Sequence, residues 1–168
     1  MTEIIVPLIG VAFVLLTLLA MLSDAWRMEI PNYISITLVI AFAVFAAMTS
    51  AVSPAAHLIT AIVVFAVATG FFAVGWFGGG DVKFLGATAL WAGPGLILPV
   101  LMVMSVVGVA LSISIALMQL RWAGMPEAAD RGEAAYGPRL WARAGACPYG
   151  IAIGLGGLLF IAKNIFAI

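Results

Sequence analysis

The chain has 168 residues, of which 65% are hydrophobic and only 8% are charged, and its seven basic and seven acidic side chains give a net charge of zero. A soluble domain carries about 45–50% apolar and about 25% charged residues, so this composition excludes that class and predicts an integral membrane protein. The shortage of charged residues also excludes a disordered chain, and the net charge of zero gives no electrostatic basis for binding nucleic acid. The single cysteine excludes a disulfide framework.

Apolar runs recur along the chain at about the 20-residue length that crosses a bilayer, and none but the last, which contains Lys163, holds a Lys, Arg, Asp or Glu. In order they are Ile4–Leu22, Tyr33–Val52, Ala55–Phe77, Phe84–Met118 and Ile151–Phe166. The fourth run is too long for one crossing, and Gly93-Pro94-Gly95 within it is typical of a turn between two crossings. The sequence therefore predicts an all-α bundle of six transmembrane helices, which forms one membrane-embedded domain over residues 1–168.

The distribution of basic residues favours six crossings over five with a single long helix at Phe84–Met118. Lys and Arg collect in cytoplasmic loops. With six crossings, six of the seven basic residues fall on one side of the membrane and only Lys163 falls on the other. With five crossings, the four arginines between residues 119 and 146 move away from Arg27 and Lys83. We therefore expect both termini outside, in the periplasm, and a cytoplasmic loop at about 119–146.

Two acidic residues stand beside predicted spans. Asp24 follows the first span, and Asp81 lies between the third and fourth. Either residue alone equally suits a helix end at the headgroup level. Because an even number of crossings separates them, however, both are expected at the cytoplasmic boundary. Two carboxyl groups held close together share a proton near neutrality, so one can activate a water while the other protonates a carbonyl oxygen. The pair predicts aspartic peptide hydrolysis.

Three glycines, Gly78, Gly79 and Gly80, directly precede Asp81. Glycines allow another backbone to approach closely, and their amides can donate to an extended peptide or to an oxyanion. We therefore expect this loop to bind the cleavage segment of a peptide substrate. Lys83 is expected to support the site by pairing with a lipid phosphate or a carboxylate.

Other chemistries have less support in the sequence. The H-E-x-x-H zinc motif is absent, and the single histidine, His57, is predicted on the outer face, away from Ser23 and Cys147. A Ser23/Lys83 dyad stays open because both residues are expected inside. We expect no metal and no cofactor. A non-enzymatic membrane subunit and a small proton-coupled transporter also stay open as alternatives, although relay acids usually lie near mid-membrane.

Three blocks of sequence, Asp24 to Asn32, Gly78 to Ala87 and Pro148 to Gly154, resemble the prepilin peptidase family in order and spacing. These type IV leader peptidases are GxGD aspartic membrane proteases that remove the leader peptides of type IV pilins. The resemblance implies that Asp24 and Asp81 are the catalytic residues. It also implies an active site that faces the cytoplasm from the bacterial inner membrane.

The size of the chain resembles the short branch of that family, which serves Flp-type pili of tight-adherence systems. Larger members carry a cytosolic region with paired cysteines and N-methylate the new terminus, so with one cysteine no methyltransferase activity is expected here. The implied substrate is a small prepilin with a short basic leader ahead of a hydrophobic helix. The implied partners are this prepilin, the lipid bilayer and the pilus assembly machinery, and no nucleic acid.

Overall fold

The computed structural model describes residues 2–122 and 147–166, and this part of the chain is helical without strands. Its elements are α1 (Thr2–Arg27), α2 (Asn32–Met48), α3 (Pro54–Ala73), α4 (Gly79–Trp122), α5 (Tyr149–Gly157), a π-helical turn (Leu158–Ala162) and α6 (Lys163–Ile165). Within the described ranges, three stretches are long and apolar enough to cross a membrane, namely Ile4–Arg27, Pro54–Ala73 and Gly79–Leu120. The predicted all-α class is confirmed, while six crossings with both termini outside stay a prediction.

Helix α4 is interrupted at Gly93, where the sequence predicted a turn. This residue has a positive φ of 58°, and a Cβ atom there would collide with the ring of His57. Pro94 has no amide hydrogen, so the carbonyl of Leu90 lacks its usual helical partner. The ring of His57 replaces that partner, since its Nδ1 lies 2.8 Å from the Leu90 carbonyl oxygen and donates to it. The histidine thus satisfies the free backbone carbonyl at the break. We call the part of α4 before Gly93 its first arm and the part after Gly93 its second arm.

Both arms of α4 pack against α5 through glycines that allow close approach. A Cβ atom on Gly156 would lie 2.8 Å from the carbonyl oxygen of Val100, in the second arm. A Cβ atom on the adjacent Gly157 would contact Thr88, in the first arm, at 3.4 Å. Small residues of this kind let helices approach where lipid provides no hydrophobic driving force. Thr88 and Val100 therefore lie at the same level along α5, on opposite sides of the break.

The start of α5 shows that the second arm returns toward the beginning of the first. The ring of Tyr149 packs against Phe77, just before α4, at a centroid distance of 5.3 Å. The same ring lies 3.0 Å from the position of a Cβ atom on Gly108, in the second arm. The two arms are therefore antiparallel, which is the geometry that two crossings within Phe84–Met118 require.

An aromatic cluster joins α1, α2 and the first arm of α4. Trp91 is buried and packs against Phe13, Phe42 and Phe45 at centroid distances of 4.9, 5.5 and 5.4 Å. Its indole N–H donates to the carbonyl oxygen of Leu38 at 2.9 Å, so the buried polar atom is satisfied. This cluster holds the three helices together at the end of the bundle away from the aspartates.

The helix ends differ from the predicted spans in one respect that matters for function. Helix α1 continues past Leu22 to Arg27 and ends where Met28 takes a positive φ of 55°. Asp24 therefore lies within the last turn of α1 rather than after the helix, and Asp81 lies in the first turn of α4. A span drawn from uncharged residues stops at the first charge, whereas backbone hydrogen bonds continue beyond it. The predicted loop at about 119–146 lies outside the described residues from 123 onward.

Close packing at Gly156 gives a testable stability prediction. Gly156→Ala should lower the melting temperature in detergent, because the new Cβ atom meets a backbone oxygen, and overpacking of this kind costs about 1–3 kcal/mol. Gly70→Ala is the matched control, because no atom lies within 4 Å of a Cβ atom at that position of α3. Equal melting temperatures of the two variants would contradict the described contact between α5 and α4.

Candidate active site

Asp24 and Asp81 reach the same cavity from two different helices. Their exposed fractions are only 4% and 9%, and both line one cavity of about 430 Å³. We call this the aspartate cavity; its other lining residues are Met28 to Asn32 and Gly78 to Gly80. The two carboxyl groups are close enough to interact electrostatically. The structure thus brings together the two acidic residues that the sequence singled out.

The N-terminal turn of α5 provides a third wall for the two carboxyl groups. The backbone N–H of Gly150 donates to Oδ2 of Asp24 at 2.7 Å, and the same amide interacts with the carboxyl group of Asp81. A Cβ atom on Gly150 would lie 2.7 Å from that Oδ2 atom, so a side chain there would displace the carboxylate. The sequence places Gly150 within the Pro148–Gly154 block but predicts no separate role for it. Its position at the start of a helix, where amides are unpaired, was the available signal.

The carboxylate of Asp81 is held on one side and unpartnered on the other. Its Oδ2 atom accepts a hydrogen bond from the N–H of Gly78 at 3.2 Å. Its Oδ1 atom is buried and has no hydrogen-bond partner in the described part of the chain. A buried polar atom without a partner is costly and requires an explanation, such as a water or a ligand that binds there.

Of the three glycines predicted to form a loop, Gly79 and Gly80 begin α4 and Gly78 directly precedes it, and the Gly78 amide is used differently from the prediction. The N–H of Gly78 donates to Asp81 and so orients a carboxylate instead of facing outward. A Cβ atom on Gly80 would lie 3.3 Å from the backbone of Ile30, so this glycine lets the start of α4 approach the segment between α1 and α2. Gly79 also lines the cavity. The three glycines thus form part of the cavity wall around Asp81.

Lys83 does not line the aspartate cavity. Its Nζ atom donates to Oδ1 of Asn32 at 2.9 Å, and Asn32 in turn lines the cavity. The sequence predicts a phosphate or a carboxylate as the partner of Lys83, whereas the partner in the structure is the neutral side-chain amide of Asn32. The hydroxyl of Ser23 donates to the carbonyl oxygen of Glu29 at 2.7 Å, which gives no support to a Ser23/Lys83 dyad. Among residues 2–122 and 147–166, no three His, Cys, Asp or Glu side chains come together as metal ligands would.

Cys147 lies close to this site, just before α5. Burial raises the pKa of its thiol above the ordinary value; a hydrogen bond with Ser112 opposes that shift, and the nearby carboxylates of Asp24 and Asp81 add to it. A thiol with a raised pKa holds little thiolate at neutral pH and is a weak nucleophile.

The chemistry of Cys147 gives a pH-dependent prediction. The rate of alkylation by a maleimide should be low at neutral pH and should still be rising above about pH 8.5, the usual thiol pKa, because the thiolate forms only at higher pH. Mass spectrometry of the purified protein measures this rate. Asp81→Asn removes one negative charge and should shift the profile toward lower pH. A rate that levels off below pH 8.5 in the unchanged protein would contradict the described surroundings of the thiol.

A comparison with known protein families agrees with this geometry. The model of the type IV leader peptidase family matches residues 11–113, which is more than half of the chain and contains Asp24, Gly78 to Gly80, Asp81 and Lys83. No curated protein and no solved structure shows a significant match. The resemblance to prepilin peptidases that the sequence blocks indicated is thereby confirmed: the chain belongs to the type IV leader peptidase family.

Proposed function

We propose that this protein is an aspartic endopeptidase that removes the leader peptide of a prepilin, with Asp24 and Asp81 acting together on one water. The observation that carries the proposal is the shared cavity: two buried carboxyl groups from α1 and α4 face it, and one oxygen of Asp81 has no partner among the described residues. Both residues lie at helix ends, where an extended peptide can enter, rather than at mid-helix, where the acids of a proton-coupled transporter are usual.

The proposed reaction needs only the two carboxyl groups and a water. One carboxylate removes a proton from the water while the water oxygen attacks the scissile carbonyl carbon. The other carboxyl group, which is protonated, donates its proton to the carbonyl oxygen. The tetrahedral intermediate then collapses, the C–N bond breaks, and the leaving nitrogen takes up the proton that the water lost. No covalent bond to the protein forms. The carboxylate that protonated the carbonyl oxygen takes a proton back from the intermediate's hydroxyl group as the new carbonyl forms, so the pair again shares one proton.

Hydrogen bonds from backbone amides support this reaction by fixing the carboxyl groups. Gly150 donates to Asp24, and Gly78 donates to Asp81, from helix ends that cannot rotate as side chains do. Groups oriented before the substrate arrives lose little freedom during the reaction, and such positioning accounts for a large part of enzymatic rate enhancement. Asp24 and Asp81 can thus stay in place while the substrate backbone moves past them.

The proposal also specifies the substrate and the side of the membrane on which it is cleaved. The substrate is a small Flp-type prepilin with a basic leader, cleaved at the cytoplasmic boundary of the bacterial inner membrane, and the product is not N-methylated. In the predicted topology with six crossings, six of the seven basic residues fall on the side of Asp24 and Asp81, and this prediction supports a cytoplasmic active site. The resemblance to the short branch of the family supports the substrate class.

Separate replacement of the two acids tests the proposal. Asp24→Asn and Asp81→Asn should each lower kcat by at least about 1,000-fold, because neither amide can take or give the required proton. Leader removal from a prepilin by the purified protein in lipid vesicles measures this loss. Glu29→Gln, which changes an exposed acid at the rim of the same cavity, should lose far less. Normal processing by either Asn variant, inserted and folded, would refute the assignment.

The role of the Gly150 amide gives a second activity prediction. Gly150→Ala should lower kcat by at least about tenfold with little change in KM, because its Cβ atom would press on both Asp24 and Ile30 at 2.7 Å. Gly70→Ala, with open space around its Cβ position, is the control. Melting temperatures of both variants separate misplacement of the carboxylate from general unfolding. An unchanged kcat in Gly150→Ala would show that this contact does not position Asp24.

A further inference from the structure

A second cavity, an apolar groove of about 630 Å³, lies beside the aspartate cavity between α2, α3 and the first arm of α4. Helices α2 and α3 both pack against α4 but make little contact with each other, so the groove opens between them along the side of the bundle. Side chains on its walls are largely uncovered: Ile36, Ile40 and Ile62 are 57%, 58% and 58% exposed. We call this feature the lateral groove.

Each of the three helices contributes one stripe of residues to the lateral groove. The stripe on α3 consists of Leu58, Ala61, Ile62 and Phe65. The stripe on α4 consists of Lys83, Gly86, Ala87 and Leu90. The spacing of three, four and seven residues is that of a helix face that packs against another helix. On α2 the groove extends from Asn32 to Ile40, a length of about 12 Å or just over two helical turns.

The lateral groove is polar at one end only, and that end adjoins the aspartate cavity. Asn32 lines both cavities, so they adjoin at this residue. Lys83 and Ser35 line the groove close to Asn32, and the hydroxyl of Ser35 is buried without a hydrogen-bond partner among the described residues. The polar aspartate cavity, a short polar junction and a wall of apolar side chains thus follow one another in this order.

The two cavities differ in charge as well as in polarity. Among the described residues, the ionisable side chains that line the aspartate cavity are those of Asp24, Glu29 and Asp81, all of them acidic. This cavity suits a segment with basic side chains, because opposite charges on the two partners lower the free energy of binding. The lateral groove suits an apolar helix. A chain that is basic on one side of its cleavage point and apolar on the other matches both cavities in order.

We infer that the lateral groove binds the first two turns of the prepilin's hydrophobic helix while the basic leader lies across the aspartate cavity. This inference rests on the proposed function and names the surface that positions its substrate. The segment between leader and helix then passes Asn32 and reaches Asp24 and Asp81 in an extended form. The groove fixes how far the helix can advance, and so which peptide bond reaches the two carboxyl groups.

A steric block in the lateral groove tests this inference separately from the chemistry. Ala61→Trp fills the groove from α3, where Ala61 is half-buried, and should raise KM for the full prepilin at least about tenfold with little change in kcat. The same variant should cleave a short peptide, which contains the leader and cleavage point but no hydrophobic helix, as well as the unchanged protein does. Ala66→Trp, on an exposed face of α3 outside the groove, is the matched control.

Photo-crosslinking locates the helix even where hydrolysis fails. In an Asp24→Asn background, a photoreactive benzoylphenylalanine at Ile62 should crosslink to the hydrophobic helix of the prepilin, whereas the same group at Val67 should not. Ile62 lines the groove and Val67 does not, although both belong to α3 and their exposed fractions are 58% and 57%.

The outcomes separate the two proposals. Equal KM values for Ala61→Trp and Ala66→Trp, or equal crosslinking from Ile62 and Val67, would overturn the groove assignment while leaving the two aspartates as catalysts. Crosslinks from Ile62 to phospholipid, to a second copy of the protein or to another segment of the same chain would also overturn it. Crosslinking to the prepilin helix, together with full cleavage by both Asn variants of the aspartates, would refute the proposed chemistry and retain the groove.

Discussion

The site depends on one constraint above all: a backbone amide of α5 holds the carboxylate of Asp24 at 2.7 Å and also reaches Asp81. Through this contact the ends of α1, α4 and α5 meet at one point, although they are remote in sequence. Two buried carboxyl groups repel each other when both are ionised, and burial without hydrogen bonds is costly. Amides at helix ends offset part of that cost, because their hydrogen atoms are unpaired within the helix.

Close packing along α5 makes this arrangement rigid. Gly156 and Gly157 bring both arms of α4 against the helix, and Gly150 brings Asp24 against its first turn. A helix of larger side chains could not approach all three neighbours at once. In lipid, where apolar side chains gain little from leaving the solvent, such contacts between small residues are a main source of helix association. The glycines of α5 thus both hold the helices together and position Asp24 in the site.

Sequence reasoning recovers the helices, the break at Gly93 and the placement of Asp24 and Asp81 at one end of the bundle, because hydrophobic runs, a Gly-Pro-Gly turn and charge placement are local signals. It misses the amide of Gly150, the pairing of Lys83 with Asn32 and the lateral groove, because each depends on how helices pack. It also ends α1 too early, at the first charge, although backbone hydrogen bonding continues for one more turn. The catalytic role of the two aspartates stays a prediction.

The most direct test of the central claim is an experimental structure with a peptide-like inhibitor that carries a hydroxyl group in place of the scissile carbonyl. Such a hydroxyl occupies the position of the attacking water. If the two acids act together, this hydroxyl lies within hydrogen-bond distance, about 2.6–3.2 Å, of a carboxyl oxygen of Asp24 and of Asp81 at the same time. A hydroxyl bound by only one of these carboxyl groups, with the other turned away from the inhibitor, would contradict the shared action of the two acids.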